Sequence, residues 1–295
     1  MLGFEANSVG HEQSWVGAGT MLDRRYQVER RLASGTWAHV YRAHDTMSGR
    51  AVAIKMLRPE RARESGVGGR FLEEGRLCAR LTHPCVTRVL GRGWSEDALP
   101  FLVLTLVDGL SLEELVDRDG PLPWPRVMRL AAQLLGALAH VHDRGIVHRD
   151  LTPANVVVAT SHHQAERAVL IDFGFAEAMD LSRSSAGVAM GSPATMAPEQ
   201  WLGRPVDQRT DLYALGCVLY TALTGRAPFP PRTDGEPWVV RCMTAHLREP
   251  VAPIAAICAA IPQGFADLVM ALLEKDPLRR PQAARSALRR LAWVA

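Results

Sequence analysis

His148-Arg149-Asp150-Leu151-Thr152-Pro153-Ala154-Asn155 is the stretch of this sequence that decides the fold, together with Asp172-Phe173-Gly174 further along. The two stretches supply a lone carboxylate, an amide and a second carboxylate, in that order. Such oxygen donors suit Mg²⁺, a hard cation that proteins hold together with substrate phosphates. Asp172 before Gly174 is, by itself, also typical of an ordinary turn. The two stretches together therefore supply candidate oxygen ligands for a divalent cation.

The bulk composition describes a folded, weakly charged chain. Its 295 residues are enough for one large domain or for two lobes around a cleft. A hydrophobic fraction of 47% supports a buried core and excludes a disordered chain. The net charge of +3, with 34 basic residues spread along the chain, is too small to indicate nucleic acid or a membrane surface as a partner.

Cysteine usage and hydropathy predict the compartment. The five cysteines are odd in number and no pair has the spacing of metal ligands, which indicates a reducing environment. No apolar run reaches the roughly 18–20 residues that cross a bilayer, so we predict no membrane span. The first residues lack the basic and apolar segments of a signal peptide. We therefore expect a cytoplasmic protein.

Periodicity divides the chain into an extension and a two-part domain. Residues 1–20 are Gly-rich and polar, and we predict a flexible N-terminal extension before a domain at 21–295. From about 21 to 107 we predict one helix at 70–81 and strands at 28–32, 38–44, 51–56, 86–90 and 101–107. From about 108 to 292 we predict short strands at 156–158 and 169–171, and helices at 126–142, 211–223, 265–273 and 283–291. This order predicts an α+β protein with two lobes.

Further motifs lie in a consistent order around the opening stretch. Val52-Ala53-Ile54-Lys55 precedes it, while Ala197-Pro198-Glu199 and Asp211-Leu212-Tyr213-Ala214-Leu215-Gly216 follow it. From about residue 22 to residue 291, the chain resembles a eukaryotic-type (Hanks-type) serine/threonine protein kinase in the style found in bacteria. The resemblance implies a two-lobed protein-kinase-like fold: a small antiparallel sheet with one helix, then a larger, mainly helical lobe. It also implies transfer of the γ-phosphoryl group of Mg²⁺-bound ATP to Ser or Thr hydroxyls of proteins.

The loop that would cover the nucleotide's phosphates departs from the family pattern. In the family, a loop with three glycines covers the phosphates, but residues 32–40 keep only Gly35, with Ala33 and Ala38 at the other two positions. We expect a stiffer loop, because alanine lacks glycine's access to positive φ. Leu104 is expected at the back of the adenine pocket. The implied ATP-binding residues are Leu32, Ala33, Ser34, Gly35, Val40, Ala53, Lys55, Thr105, Val107 and Val157.

A lysine and a helical acid are implied to position the phosphates. Lys55 holds the place of the family's strand lysine, which contacts the α- and β-phosphates and pairs with a glutamate of the helix. Glu74 is our assignment for that acid, since it shares a helical face with Phe71 and Cys78. The adjacent Glu73 is the rival assignment, although its helical phase places it toward solvent.

The catalytic roles follow the same resemblance. Asp150 is the implied catalytic base, and Asn155 and Asp172 are the implied Mg²⁺ ligands. Thr152 stands where family members usually carry a lysine that neutralises charge on the γ-phosphate, and Ser192 stands where a threonine bonds the catalytic Asp. Loss of that positive charge predicts a slower enzyme rather than an inactive one.

Regulation is implied by Arg149, which lies beside Asp150. In related kinases this arginine pairs with a phosphate on the activation loop, so the resemblance implies control by loop phosphorylation. Ser184 and Ser185 are the candidate autophosphorylation sites in that loop. A transient homodimer would allow one copy to phosphorylate the other.

The resemblance also implies structural roles for three further residues, and two alternative functions stay open. Glu199 and Arg280 resemble a family ion pair, and Asp211 is expected to anchor the backbone of the catalytic loop. A pseudokinase-type nucleotide-binding scaffold is the alternative, motivated by Thr152 and by the missing glycines. A small-molecule kinase is a third candidate, less favoured because the motif at 197–199 points to protein acceptors.

Overall fold

The structure of the protein is a computed structural model that describes residues 16–161, 164–172, 192–230, 237–258 and 260–293. It contains two lobes joined by an extended segment at 106–108, which agrees with the predicted two-lobed architecture. No helix within these residues is long and apolar enough to cross a membrane. All five cysteines fall inside the described ranges and are free thiols.

The N-lobe is a six-stranded antiparallel sheet with two helices. Its strands are β1 (Met21–Leu22), β2 (Tyr26–Ser34), β3 (Ala38–Asp45), β4 (Arg50–Leu57), β5 (Val89–Trp94) and β6 (Pro100–Thr105). They pair antiparallel in the order β1-β2-β3-β4-β6-β5. In β3, Tyr41 and Ala43 are buried while Arg42 and His44 are partly exposed, so the strand alternation predicted for this segment is confirmed.

Helices α1 (Pro59–Ala62) and α2 (Val67–Cys78) lie between β4 and β5. Helix α2 begins and ends three residues before the predicted helix at 70–81, because Gly66, with φ 76°, takes the left-handed conformation directly before it. The glycines of α2 allow close packing on the sheet. A Cβ at Gly68 would meet the ring of Trp94 at 2.8 Å, and one at Gly75 would overlap the side chain of Leu102.

The C-lobe is mainly helical around one buried helix. Its helices are α3 (Leu112–Asp119), α4 (Trp124–His142), α5 (Pro198–Trp201), α6 (Gln208–Thr224), α7 (Trp238–Arg248), α8 (Ile254–Ile257), α9 (Gln263–Leu272) and α10 (Ala284–Ala292). A small sheet, β7-β8-β9, is formed by Leu110–Ser111, Val156–Ser161 and Gln164–Leu170. Helix α6 is buried along most of its length, as its all-round apolar pattern predicted, and packs against α4 and α9.

A buried polar cluster lies beside α6. The hydroxyl of Tyr213 is 2.8 Å from Nδ1 of His246. The ammonium group of Lys275 lies 4.1 Å from the ring centre of Phe229 and donates a hydrogen bond of 3.0 Å to the carbonyl of Ala245. Burial lowers the pKa of Lys275 to about 8.

The last residues of the predicted extension are part of the N-lobe. Val16 is 5% exposed and belongs to the same core cluster as Tyr26 and Val28. The backbone N–H of Gly19 donates to the carbonyl of Val28, and that of Val28 donates to the carbonyl of Thr20. The domain therefore begins at or before residue 16 instead of at residue 21, and residues 1–15 lie outside the described part of the chain.

Candidate active site

The cleft between the lobes contains two adjoining cavities. The hinge cavity, of about 410 Å³, lies between the N-lobe sheet, residues 104–107 and β8. The loop cavity, of about 300 Å³, lies under the turn between β2 and β3. Both are lined by Ala33, Val40, Lys55, Asn155 and Asp172, so they form one continuous site.

The hinge cavity collects most of the side chains that the sequence assigned to ATP. Leu104 lies at its back and is 9% exposed. The remaining predicted residues on its walls are Leu32, Ala33, Val40, Ala53, Lys55, Thr105, Val107 and Val157. Ser34 and Gly35, the other two predictions, line the loop cavity. The apolar walls and the hinge backbone suit a flat, hydrogen-bonding ring.

Thr87 and Glu113 are among the residues of the hinge cavity that were missed from the sequence. The hydroxyl of Thr87 donates a hydrogen bond of 3.2 Å to the carbonyl of Thr105 and so fixes the hinge strand. Glu113 lies at the mouth of the cavity, in the first turn of α3. Ser111 and Glu114 form a reciprocal capping box that sets the start of this helix. The Ser-x-x-Glu spacing was the sequence signal that could have found it.

Asp211 anchors the catalytic loop, as predicted. Its fully buried carboxylate accepts backbone hydrogen bonds of 2.8 Å from both His148 and Arg149. Arg149 has φ 69°, a strained conformation that these bonds hold in place. The imidazole Nε2 of His142 lies 2.7 Å from Asp211 Oδ2, a contact that the sequence did not indicate.

Asp150 projects into the loop cavity with a fixed orientation. The hydroxyl of Ser192 donates to Asp150 Oδ1 at 3.1 Å, as expected, and the amide of Asn155 donates to Oδ2 at 3.2 Å. Thr152, at the position of the family's lysine, accepts a hydrogen bond of 3.2 Å from the backbone N–H of Asn155. Thr152 thus caps the short 3₁₀ turn that presents Asn155.

The expected ion pair between Lys55 and Glu74 is not formed. The ammonium of Lys55 is instead paired with a carboxylate oxygen of Asp172. Asp172 has φ 56°, which turns its side chain back toward the strand that carries Lys55. In the described residues Glu74 Oε2 is buried and accepts no hydrogen bond. The predicted face of Glu74 is confirmed, since Glu73 is exposed and pairs with Arg76 at 2.7 Å.

Burial raises the pKa of Glu74 to about 7. The positive charges of Arg149, Arg70 and Lys55 act in the opposite direction but do not outweigh the loss of water. The carboxyl group is therefore partly protonated at neutral pH, which explains why it tolerates a site without a direct partner.

Asn155 and Asp172 fit a magnesium ion. The amide nitrogen of Asn155 donates to Asp150, so its oxygen is the end available to a cation. Asp172 offers a carboxylate at the junction of the two cavities. Mg²⁺ commonly takes only one or two protein oxygens and completes its shell with phosphates and water. The chemistry of this pair agrees with that requirement.

The predicted regulatory residues are only partly described. Arg149 Nε is buried and bonds to none of the described residues. The side chain of Gln200, which the sequence did not single out, donates to the carbonyl of Arg149 at 3.0 Å and accepts from the N–H of Ala197 at 3.0 Å. Ser184 and Ser185 lie outside the described residues, so their pairing with Arg149 stays a prediction.

The Glu199–Arg280 ion pair is confirmed and buried. Arg280 donates to both carboxylate oxygens of Glu199, at 2.7 and 2.8 Å. Thr210 adds a third bond, of 2.8 Å. Burial alone would raise the pKa of Glu199, but the hydrogen bonds and charge of Arg280 hold it below its ordinary value.

The fold and cleft define a kinase-type architecture, in which a lysine on a strand faces a loop bearing Asp and Asn across a nucleotide-sized site. The family model described as "Protein kinase domain" matches residues 26–291. The chain therefore belongs to the protein kinase domain family.

Named relatives are bacterial kinases. The chain is 38% identical over 278 residues to the serine/threonine-protein kinase pkn2 of Myxococcus xanthus, covering 92% of this chain and 32% of the relative. It is 40% identical over 272 residues to the DNA damage-responsive serine/threonine-protein kinase RqkA of Deinococcus radiodurans, covering 90% and 39%. The chain thus spans 32% to 39% of the length of these relatives.

A solved structure confirms the fold. The kinase domain of Mycobacterium tuberculosis PknI superposes with a TM-score of 0.71 at 26% identity, covering 95% of this chain and all of that domain. The two-lobed α+β fold predicted from the sequence is the fold of this domain.

Proposed function

We propose that this chain is an ATP-dependent protein kinase that transfers the γ-phosphoryl group of Mg²⁺-bound ATP to Ser or Thr hydroxyls of proteins. The observation that carries the proposal is the convergence of Lys55, Asp150, Asn155 and Asp172 on one cavity, in a chain of the protein kinase family. The names of the relatives support Ser and Thr as acceptors.

The hinge cavity would hold the adenine ring. Val40 and Ala53 lie on the N-lobe side of the cavity and Val157 on the C-lobe side, so an aromatic ring fits between them. The carbonyl of Thr105 and the N–H of Val107 provide one acceptor and one donor along the hinge. The phosphates would then extend under Ser34 and Gly35 into the loop cavity.

The loop cavity would carry out the transfer. Lys55 would exchange Asp172 for the α- and β-phosphates, and Glu74 would then become its partner. Asn155 and Asp172 would hold Mg²⁺, which neutralises charge between the phosphates when bound. Asp150, fixed by Ser192 and Asn155, orients the acceptor hydroxyl and takes its proton as the oxygen bonds to the γ-phosphorus and ADP leaves.

The proposal extends to regulation and location. A transient homodimer would phosphorylate Ser184 or Ser185 in trans, and Arg149 would receive that phosphate. We infer that the protein itself is cytoplasmic, which the five free thiols support. Thr152 supplies no charge to the γ-phosphate, so the rate should be modest.

Transfer from γ-labelled ATP tests this function. The purified chain is incubated with Mg²⁺, labelled ATP and a generic protein acceptor, beside an Asp150→Asn variant. We expect label on Ser or Thr with the wild type and a rate lower by about 10²–10⁴-fold with the variant, which loses the proton acceptor. ATP binding should be the same in both proteins. Equal labelling of wild type and variant would contradict the role of Asp150. A wild type that binds ATP without transferring it would favour the scaffold.

A further inference from the structure

The turn at residues 34–37, which covers the loop cavity, is hydrogen-bonded to Arg58. Arg58 follows β4 directly, and its Nε donates a hydrogen bond of 2.8 Å to the carbonyl of Gly35. Its Nη2 donates a bond of 2.9 Å to Ser34 Oγ. The backbone N–H of Arg58 also donates to the carbonyl of Trp37 at 2.9 Å. One residue therefore fixes three of the four positions at 34–37.

The same turn is anchored on its other sides. Ser34 Oγ lies 3.0 Å from Nδ1 of His39, directly across the hairpin. The N–H of Gly35 donates to the carbonyl of Ala38 at 2.9 Å. Trp37 is 5% exposed and packs in a core cluster with residues of β4 and α2, while the guanidinium of Arg61 lies 4.1 Å from its ring centre.

The contacts that fix the turn at 34–37 offer a reason why the loop can lack the family's glycines at positions 33 and 38. A loop with three glycines loses much conformational entropy when it closes over a ligand, because glycine has the most freedom to lose. Here the backbone at 34–37 is already fixed in the folded protein, and it lines the loop cavity. Less entropy is then lost when phosphates bind beneath it.

We propose that Arg58 is a positioning residue for the nucleotide's phosphates, holding Ser34 and Gly35 in the geometry that receives them. Arg58 is not among the described residues that line the loop cavity, so it acts through the turn rather than on the phosphates. Its planar fork supplies two directed hydrogen bonds, which the single ammonium group of a lysine does not reproduce. This role rests on the proposed function, since it needs phosphates in the loop cavity.

Nucleotide affinities test the proposal without catalysis. Dissociation constants for ATP and for adenosine are measured by calorimetry with the full chain, for wild type, Arg58→Ala, Arg58→Lys and Ser34→Ala. Arg58→Ala should weaken ATP about tenfold, the effect of losing two hydrogen bonds, and leave adenosine unchanged. Arg58→Lys should stay close to Arg58→Ala, and Ser34→Ala should show a smaller loss for ATP alone. The control is Arg76→Ala, an exposed arginine on α2 that pairs with Glu73.

Several results would overturn the role of Arg58. Equal weakening of ATP and adenosine would make the arginine a general structural residue, and wild-type affinity in Arg58→Lys would show that charge alone suffices. If Arg58→Ala does not fold, Arg58→Lys and Ser34→Ala decide, since both must weaken ATP selectively. A wild type that binds adenosine as tightly as ATP would contradict the proposed function itself. A wild type that prefers ATP, with an Arg58→Ala variant that keeps the full preference, contradicts only the role of Arg58.

Discussion

Glu73 and Glu74 are neighbours on α2 with opposite surroundings. Glu73 is exposed and pairs with Arg76, whereas Glu74 is half-buried and has a buried carboxylate oxygen without a hydrogen bond in the described structure. Burial raises the pKa of Glu74 from its ordinary value of 4.5 to about 7. Between these two values, the folded protein binds a proton that the unfolded chain has released. The ionised carboxylate therefore destabilises the fold as pH rises through that range.

Glu74→Gln should remove this pH dependence. At pH 5 the carboxyl group is protonated in the folded protein, so variant and wild type should unfold with similar free energies. At pH 8 the variant should be more stable by about 1–2 kcal/mol, a value reduced by solvent around the exposed part of the side chain. Urea unfolding at the two pH values measures both differences.

The matched control is Glu73→Gln on the same turn of α2. Its side chain is exposed, so its effect should stay within about 0.5 kcal/mol at both pH values. A Glu74→Gln effect that is the same at pH 5 and pH 8 would show that the carboxyl group does not titrate in this range.

At the scale of single residues, the sequence indicated which side chains belong to the site but not which ion pairs and hydrogen bonds they form. Helical phase placed Glu74 correctly on the buried face. Its pairing with Lys55 failed, because the left-handed backbone of Asp172 brings a nearer carboxylate to that lysine. Thr152 was known as a missing charge, while its role as the cap of the turn at 153–155 depends on backbone geometry that no motif records.

Helix α2 is packed on the sheet through glycine. Gly75 faces Leu102 of β6 so closely that a Cβ there would overlap that side chain. Gly69, six residues earlier in the same helix, has no atom within 4 Å of the position its Cβ would take. The two glycines therefore separate the effect of packing from that of helix propensity.

Gly75→Ala and Gly69→Ala should change stability in opposite directions. At Gly75, overpacking should cost about 1–3 kcal/mol and outweigh the helix propensity of alanine. At Gly69, where space is open, alanine should increase the free energy of unfolding by about 0.5–1 kcal/mol. Chemical denaturation of both variants measures the signs. If Gly75→Ala were as stable as Gly69→Ala, α2 would not be held against β6 in the way described.

The sequence predicted which of these segments form strands or helices, but it did not predict the residues at which helix α2 begins and ends. The period-2 pattern identified β3 and the all-round apolar pattern identified α6 as a buried helix. The start of α2 was placed three residues late, because Gly68 and Gly69 reduce helix propensity. Gly68 is required by its contact with Trp94 of the sheet, which is tertiary information.

The buried ion pair between Glu199 and Arg280 links distant parts of the C-lobe. Glu199 lies at the start of α5, next to the segment that follows the catalytic loop, and Arg280 lies between α9 and α10. Arg280 also donates to the backbone carbonyls of Arg209 and Glu274. The pair therefore connects α5 to the segment between α9 and α10.

Arg280→Met should destabilise the whole domain. Methionine keeps most of the volume but leaves the Glu199 carboxylate buried without its cation, which typically costs about 3–5 kcal/mol. The double variant Arg280→Met with Glu199→Gln removes that uncompensated charge and should recover part of the loss. Thermal unfolding of the single and double variants at pH 7 tests this. A double variant less stable than Arg280→Met would show that the charge on Glu199 is not the cause.

At the scale of the whole molecule, the sequence was sufficient for a two-lobed α+β fold. It could not show that Val16 packs into the N-lobe, because the apolar residues among the first twenty follow no period. Nor did it indicate Arg58, whose contacts with Ser34 and Gly35 join residues more than twenty positions apart.

Because lysine is scarce in this chain, chemical modification of lysine can be used to follow nucleotide binding in the cleft. The chain has two lysines, Lys55 and Lys275, among its 34 basic residues. Lys55 is 7% exposed and paired with Asp172, while Lys275 has a pKa lowered to about 8 by burial and so has more of the neutral, nucleophilic amine. Both amines are shielded, so an acylating reagent at mildly alkaline pH would modify each of them slowly, and Lys55 more slowly still once a nucleotide fills the cleft. The ratio of the two adducts in a peptide digest becomes a direct readout of nucleotide occupancy, with Lys275 as its internal standard.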